Sequence, residues 1–192
     1  MGYHRKNKDI KVRLVVRGFQ EVNKPKSDAP TASRESFRIF LSLTATQLFE
    51  LKALDVTSAF LQSKPIERSI IIQPPKEYKK KGFVWKLNKA IYGLIDASRQ
   101  FYLSVKEKIE KIGLKMVDQD EAFFYHHDAK GQLDGMLIIH VDDFLVSGTK
   151  DYLAKVANSL KERFDFGRIE EERFKYTGIN IQQQENKSIL ID

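Results

Sequence analysis

Residues Lys11–Arg17 (KVRLVVR) alternate basic and apolar side chains, the two-residue period of a strand with one wet face. The stretch Asn23–Pro30 is rich in turn formers. Behind it, Ser33 is placed to cap a helix over residues 34–48, with Phe37, Phe40, Leu41 and Leu48 on its apolar side. Leu51–Val56 is a short apolar run with Asp55 near its end, as in a buried strand that delivers one carboxylate. Ser69–Gln73 is a second apolar strand, closed by Pro74 and Pro75. Asp96 is placed to cap a long helix reaching Ile112, with Phe101, Val105, Ile109 and Ile112 at helical spacing and Gly113 as its stop. Ala122–Tyr125 and Leu137–Val141 read as strands joined by a polar loop holding Gly131 and Gly135. Leu153, Val156, Leu160 and Phe164 mark a further amphipathic helix, and Phe174–Gln182 and Ser188–Ile191 read as closing strands. Two helices backing an antiparallel sheet, with strands and helices intermixed, predict an α+β fold.

A chain of 192 residues suits one domain, or two small lobes sharing a cleft. Its hydrophobic fraction of 42% supports a real core, and 31% charged residues give a wet surface without the composition of disorder. Charge changes the picture more. Lys and Arg number 33 against 26 Asp and Glu, a net +7 that is unevenly spread. Residues 1–26 hold eight basic side chains against Asp9 and Glu21, a net +6, and residues 76–89 hold six lysines against Glu77, a net +5. The remainder is therefore mildly acidic. Basic clusters beside acidic elements suit a polyanion-binding protein with a metal site, while either cluster alone also reads as a solvated Lys-rich loop.

Absence of cysteine excludes disulfides, thiolate zinc sites and Cys nucleophiles. No apolar run approaches the roughly 20 residues that span a bilayer. The opening Met-Gly-Tyr-His-Arg-Lys has no apolar signal core, so nothing suggests secretion or a membrane partner. The chain begins in a basic strand and stops at Ile-Leu-Ile-Asp inside what reads as another, so a piece of something longer is expected.

The sharpest local signal is His140-Val-Asp-Asp-Phe-Leu-Val, two adjacent aspartates between the buried runs Leu137–Val141 and Phe144–Val146. Adjacent carboxylates at such a turn repel each other and are partly desolvated, which costs free energy unless a cation or hydrogen-bond donors compensate. Neighbouring side chains of an extended chain point to opposite faces, so Asp142 and Asp143 contribute unequally and a third carboxylate is needed. Asp55, in Leu-Asp-Val-Thr-Ser-Ala-Phe, is the candidate. Hard oxygen donors without a His or Cys cluster point to Mg²⁺, with Mn²⁺ as a substitute. The plainer alternative for the pair alone is hairpin turn chemistry, which Asp favours.

The segments KVRLVVRGFQ, APTASRESFRIFLSL, LDVTSAFL, IIIQPP, LNKAIYGLIDASRQF, HVDDFLVSG and RFKYTGINIQQ resemble, in this order, copia-type LTR retrotransposon reverse transcriptases, over nearly the whole chain. The resemblance implies a right-hand polymerase with fingers and palm, an antiparallel palm sheet backed by helices. Residues of about 1–50 and 62–95 would be fingers-like, and 51–61 and 96–192 palm-like, ending near the primer grip; thumb, connection and RNase H regions are not expected within the chain. It implies catalytic and metal-binding roles for Asp55, Asp142 and Asp143, with the Val56 carbonyl as a further ligand of two Mg²⁺ ions. Thr57, Ser58 and Ala59 would lie under the triphosphate, where backbone N–H groups meet phosphate oxygens. Phe60 would be the steric gate against a ribose 2′-hydroxyl, or else a core residue. Either Lys11 or Arg13 would reach the triphosphate.

Tyr92 and Gly93 would line the nucleotide pocket, and Arg99 and Gln100 would begin the helix nearest template or primer. Gly178 would admit nucleic acid in the primer-grip hairpin, or else mark a strand bulge. His140 stands where Tyr is commoner, either contacting the primer backbone or filling space. Asp96 departs from the family by placing an acid near nucleic acid. Trp85 is read as core.

The implied activity is RNA-directed DNA polymerisation by two-metal nucleotidyl transfer, within a retrotransposon Pol polyprotein. Its partners would be an RNA or DNA template with primer, dNTPs, and the remaining Pol domains (thumb, RNase H, integrase), in a cytoplasmic virus-like particle. A catalytically inactive nucleic-acid-binding remnant is the alternative, and a carboxylate-based nuclease a third. All of this requires Asp55 to lie beside the 142–143 turn.

Overall fold

The computed structural model describes Val12–Asp192, and before them only the backbone of Arg5–Lys6 and Asp9–Ile10. In chain order the elements are β1 (Arg5–Lys6), β2 (Asp9–Ile10), α1 (Arg34–Thr46), β3 (Glu50–Val56), β4 (Pro65–Ile72), β5 (Trp85–Lys89) and α2 (Ala97–Lys111). They continue with β6 (Lys115–Val117), β7 (Asp120–His127), β8 (Leu133–His140), β9 (Asp143–Gly148) and α3 (Lys150–Lys161). The last are β10 (Phe166–Glu171), β11 (Arg173–Tyr176), β12 (Ile179–Gln183) and β13 (Ile189–Ile191). This is a mixed α and β chain with antiparallel sheets and, among the described residues, three α-helices. Contacts divide it into one compact unit of residues 1–28 and 60–104 and another of 29–59 and 105–192.

The second unit is built on a six-stranded sheet in the order β10-β3-β9-β8-β7-β6, antiparallel throughout. Partners across such a ladder share a face. Ala53, Leu145, Ile138 and Phe123 are successive partners and form one apolar row, and Asp55, Asp143 and His140 form a polar row further along the same face. Phe37, Phe40 and Leu41 of α1 pack onto this face with Phe174, Tyr176 and Ile181 of the β11-β12-β13 sheet. The opposite face, with Leu54, Phe144, Val146, Leu137 and Ile139, is also buried and lies against α3. There the Tyr152 ring seats on the paired Gly135 and Gly148, where any Cβ would strike it.

Ser33 does cap α1: its hydroxyl accepts from the Ser36 N–H at 3.1 Å. The entry to α1 is anchored twice more, by Ala32 N–H donating to the Ile139 carbonyl at 3.0 Å and Ser33 N–H to the Asp120 carboxylate at 2.8 Å. These ties place residues 29–50 with the sheet, and the compact units divide at 28/29 and 59/60. The third division falls at 104/105, within α2. Leu48 is not on the helix's apolar side. It follows the helix at φ 55° and is exposed.

In the first unit β4 pairs with β5, and Ala90, Leu94 and Ala97 form a small core supported by Val16, Phe60, Ile70, Leu87 and Ile91. Residues 12–17 are not a strand in a ladder. Val16 N–H donates to the Tyr92 carbonyl at 2.9 Å and Gly18 N–H to the Gly93 carbonyl at 3.1 Å. That close approach needs both glycines: a Cβ on Gly18 would meet the Gly93 carbonyl, and one on Gly93, at φ +90°, would meet the Val16 carbonyl.

Asp96 does not face outward. Its fully buried carboxylate receives both terminal nitrogens of Arg68, at 2.6 and 2.7 Å, and the Gln100 amide at 3.0 Å, while Arg68 Nε also reaches Glu21 at 2.7 Å. Burial by itself raises the Asp96 carboxyl, but the hydrogen bonds from Arg68 and Gln100 outweigh it and hold its pKa below the ordinary value. A carboxyl whose folded pKa is depressed contributes stability above its unfolded pKa and loses it as pH falls through the folded one. Asp96→Asn is therefore expected to destabilise the chain by about 3 kcal/mol at neutral pH, by leaving Arg68 half-paired. Urea titrations should show the gap between the variant and the parent closing as pH drops below the usual carboxylate range.

Candidate active site

Asp55 sits at the far end of β3, directly across the ladder from Asp143, and Asp143 lies directly across from His140. The local sequence explains this. Leu51 and Ala53 are drawn into the core on one face, so Asp55, two residues on, continues on that face as the strand leaves the apolar row. On the other side β8 and β9 are joined by Val141-Asp142, a two-residue turn closed by the His140–Asp143 pair. Val141 takes φ 59°, an uncommon and strained setting for a β-branched residue. The turn is tied to β3, since Val56 N–H donates to the Asp142 carbonyl at 2.9 Å.

All three aspartates are half-buried. Burial raises the Asp143 carboxyl above its ordinary value, repulsion from Asp142 and then Asp55 adds to this, and His140 and Arg168 pull the other way. Among the described residues, no three His, Asp or Glu side chains already converge as an ion-holding group. The aspartates are neighbours by register and by charge, with their side chains not gathered on one point.

Beyond β3 the chain passes Val56, buried and paired with Phe166, then Thr57, whose N–H donates to the Asp165 carbonyl at 2.8 Å. That amide is already engaged within the chain. Ser58 is exposed at φ 49°, and Ala59 is buried at the start of a 3-10 turn. His140 is half-buried with its ring edge-on to Tyr176 at 6.4 Å. Gly178 is not in a bulge: with Thr177 (φ 47°) it forms the two-residue turn of the β11–β12 hairpin at φ +95°, with open space around its Cα.

The other candidates belong to the first unit. Phe60 is half-buried, edge-on to Tyr92 at 4.7 Å, and the Arg13 guanidinium lies 4.9 Å from the centre of the same ring. Gly93 serves the close approach of the Val16 backbone. Arg99 donates to the Asp28 carbonyl at 2.8 Å and Gln100 to Asp96, so both side chains hold internal partners. Lys11 lies outside the described residues.

A family model described as reverse transcriptase (RNA-dependent DNA polymerase) matches residues 3–191. The chain is 32% identical over 162 residues to the retrovirus-related Pol polyprotein from transposon TNT 1-94 of Nicotiana tabacum, covering 81% of this chain and 12% of that protein. It is 28% identical over 160 residues to the Pol polyprotein from transposon RE2 of Arabidopsis thaliana, with 80% and 11% covered. A putative transposon Ty5-1 protein of Saccharomyces cerevisiae is 26% identical over 144 residues, with 72% and 45% covered. This chain thus spans about an eighth of the first two relatives and under half of the third. A solved structure of apo telomerase from Candida tropicalis overlays with a TM-score of 0.49 at 11% identity, covering 83% of this chain and 40% of that one, too distant to bear on the reading.

Three residues beside the aspartates escaped the sequence reading. Arg168 is the ladder partner of Asp55. Tyr176 has a buried hydroxyl without a hydrogen-bond partner among the described residues, and burial, with Asp143 nearby, pushes its phenol up. Gly167 occupies a register shift in β10, where a Cβ would stand 2.8 Å from Thr57 Oγ1 and 3.2 Å from Asp55 Oδ2. A glycine inside FGRIEE was the available signal, since glycine in a strand often marks a bulge or close approach. Gly167→Ala is expected to cost about 1 kcal/mol by forcing those two side chains aside. Adding Thr57→Ala removes the nearer obstacle, so a double-mutant cycle by urea denaturation should show favourable coupling; strict additivity would show that the contact is inconsequential.

Proposed function

From the premise that the chain belongs to the reverse transcriptase (RNA-dependent DNA polymerase) family, with Pol polyproteins of copia-type transposons as relatives, we propose that it carries the nucleotidyl-transfer site of an RNA-directed DNA polymerase. In this reading dNTPs are added to a primer on an RNA or DNA template. The observation that carries it is the ladder register, which sets Asp55 opposite Asp143 while the Asp142 carbonyl is tied to Val56. We assign the six-stranded sheet and its helices to the palm, and the unit of residues 1–28 and 60–104 to the fingers.

The donors suit hard divalent cations such as Mg²⁺. They are carboxylates, and burial, with repulsion from Asp142 and Asp55, raises the Asp143 carboxyl, an environment that an added cation would relieve. Asp55, Asp142, Asp143 and the Val56 carbonyl would hold two such ions, whose chemistry is to make the primer 3′-hydroxyl a better nucleophile and to stabilise charge on departing pyrophosphate. Asp142 is positioned by the strained Val141 turn, which fixes its backbone on β3. Ser58 and Ala59 would offer backbone N–H groups to the triphosphate, with Thr57 fixing the start of that turn through Asp165. Arg13 or Lys11 would neutralise triphosphate charge. Phe60, braced by Tyr92, would close the space that a ribose 2′-hydroxyl needs.

Tyr92, Gly93, His140 and Gly178 would border nucleic acid. Arg99 and Gln100 would act through the start of α2, since their side chains hold Asp28 and Asp96. The remaining Pol domains and a cytoplasmic virus-like particle complete the proposal.

Primer extension in a full-length Pol protein tests it. Asp142→Asn is expected to lower extension by about 10⁴-fold with Mg²⁺ or Mn²⁺ while leaving the circular dichroism melt unchanged. Extension that survives this change would remove the assignment. Phe60→Ala should raise ribonucleotide incorporation relative to deoxynucleotide by about tenfold or more. Unchanged sugar selection would make Phe60 a core residue alone.

A further inference from the structure

The unit of residues 1–28 and 60–104 carries 17 Lys and Arg against 6 Asp and Glu, a net +11, which leaves the other unit at −4. Within it the connection from β4 to β5 is both the richest in lysine and the most aromatic on its surface. Six lysines stand between residues 76 and 89 with Glu77 as the one acid, and Lys79, Lys80 and Lys81 are all exposed. Tyr78 and Phe83 are each 67% exposed, an unusual setting for large rings. Trp85 is half-buried rather than core, with its ring 6.0 Å from that of Tyr78.

Backbone bonds hold the connection in shape. Tyr78 N–H donates to the Pro75 carbonyl at 2.9 Å, Lys79 N–H to Lys76 at 3.3 Å and Phe83 N–H to Lys80 at 3.1 Å. The last closes a turn that needs Gly82 at φ +81°. The exposed rings are thus presented by a hydrogen-bonded loop, between ammonium groups, and about two thirds of each ring residue stays open to solvent.

We propose that this connection, residues 76–86, binds single-stranded nucleic acid, with Lys79, Lys80 and Lys81 on phosphates and Phe83 and Tyr78 stacking on bases. Aromatic rings interleaved with cations fit that ligand because every base offers a flat face and every linkage a charge. Duplex would present phosphates to the lysines but no free base to the rings. The class of occupant rests on the polymerase reading; the site does not, since it lies on residues with no part in the aspartate row.

The test is fluorescence anisotropy of a labelled oligo-dT or oligo-U with the whole chain, read over a range of salt. Phe83→Ala is expected to weaken binding about 5- to 100-fold. The triple reversal Lys79→Glu, Lys80→Glu and Lys81→Glu should lower the slope of log affinity against log salt by about 2, since about 0.7 counterion is released per phosphate on a single strand. Unaltered melting shows that neither variant acts through folding.

Equal affinity and slope in all variants would overturn the proposal, as would tighter binding to phosphatidylserine vesicles than to oligonucleotide. The Asp142→Asn chain separates the two readings. Oligonucleotide binding that depends on Phe83 in that chain supports the site whatever extension assays return. Intact extension by a protein with Asp142 in place, together with binding insensitive to Phe83→Ala, sinks the site and leaves the polymerase standing.

Discussion

Three carboxylates at one end of an antiparallel sheet repel each other, and the β3–β9 ladder is what holds them together. Asp55 and Asp143 are direct cross-strand partners, the placement in which like charges oppose pairing. The opposition is met elsewhere on the same strands, where Leu51, Ala53 and Leu145 bury their side chains under α1. A one-residue slip of β3 would turn Lys52 and Leu54 onto that face and carry Asp55 to the other. Hydrophobic alternation at one end of a strand thereby fixes the position of a charge at the other. Arg168 and His140, each a ladder partner of one aspartate, relieve part of the repulsion without removing it.

The elements legible in the sequence were those whose burial repeats at one period. The first long helix announced itself through Ser33 and through Phe37, Phe40 and Leu41, and the strand of Asp55 through the short, largely apolar stretch Leu51–Val56. The adjacency of the aspartates was legible too, because buried strands on either side of Asp142-Asp143 leave few places for a third partner. What could not be read depends on tertiary partners. Residues 12–17 alternate like a strand, yet their amides are used singly, at Val16, against the Tyr92 carbonyl. FGRIEE is polar and glycine-bearing, so β10 looks like a loop until β3 supplies its ladder. Asp96 looked like a cap and an intrusion near nucleic acid, because nothing local points to Arg68, 28 residues upstream, as its partner.

The two units are stabilised differently. One has a broad core of aromatic and aliphatic residues from α1 and two sheets. The other buries the small cluster Ala90, Leu94 and Ala97 as well as Phe101 and Tyr102 of α2, and adds the Arg68–Asp96 pair and a close backbone approach at two glycines. Apolar burial is nearly indifferent to pH, whereas a carboxylate held ionised in the interior is not.

That difference also bears on charge. A unit with a net of +11 pays for its own positive potential through self-repulsion, and a buried carboxylate such as Asp96 offsets some of it from within. The acidic unit has the reverse problem, concentrated at the aspartate row, and answers it with Arg168 at the edge of the sheet. In both units a single arginine stands against a carboxylate that the hydrophobic pattern has drawn out of water. The difference lies in completeness: Asp96 receives three nitrogen donors and is held ionised, while Asp143 is left with its carboxyl raised. An under-compensated carboxylate in an otherwise satisfied fold is where an added cation gains most, which is the physical reason to look for chemistry at Asp143 and not at Asp96.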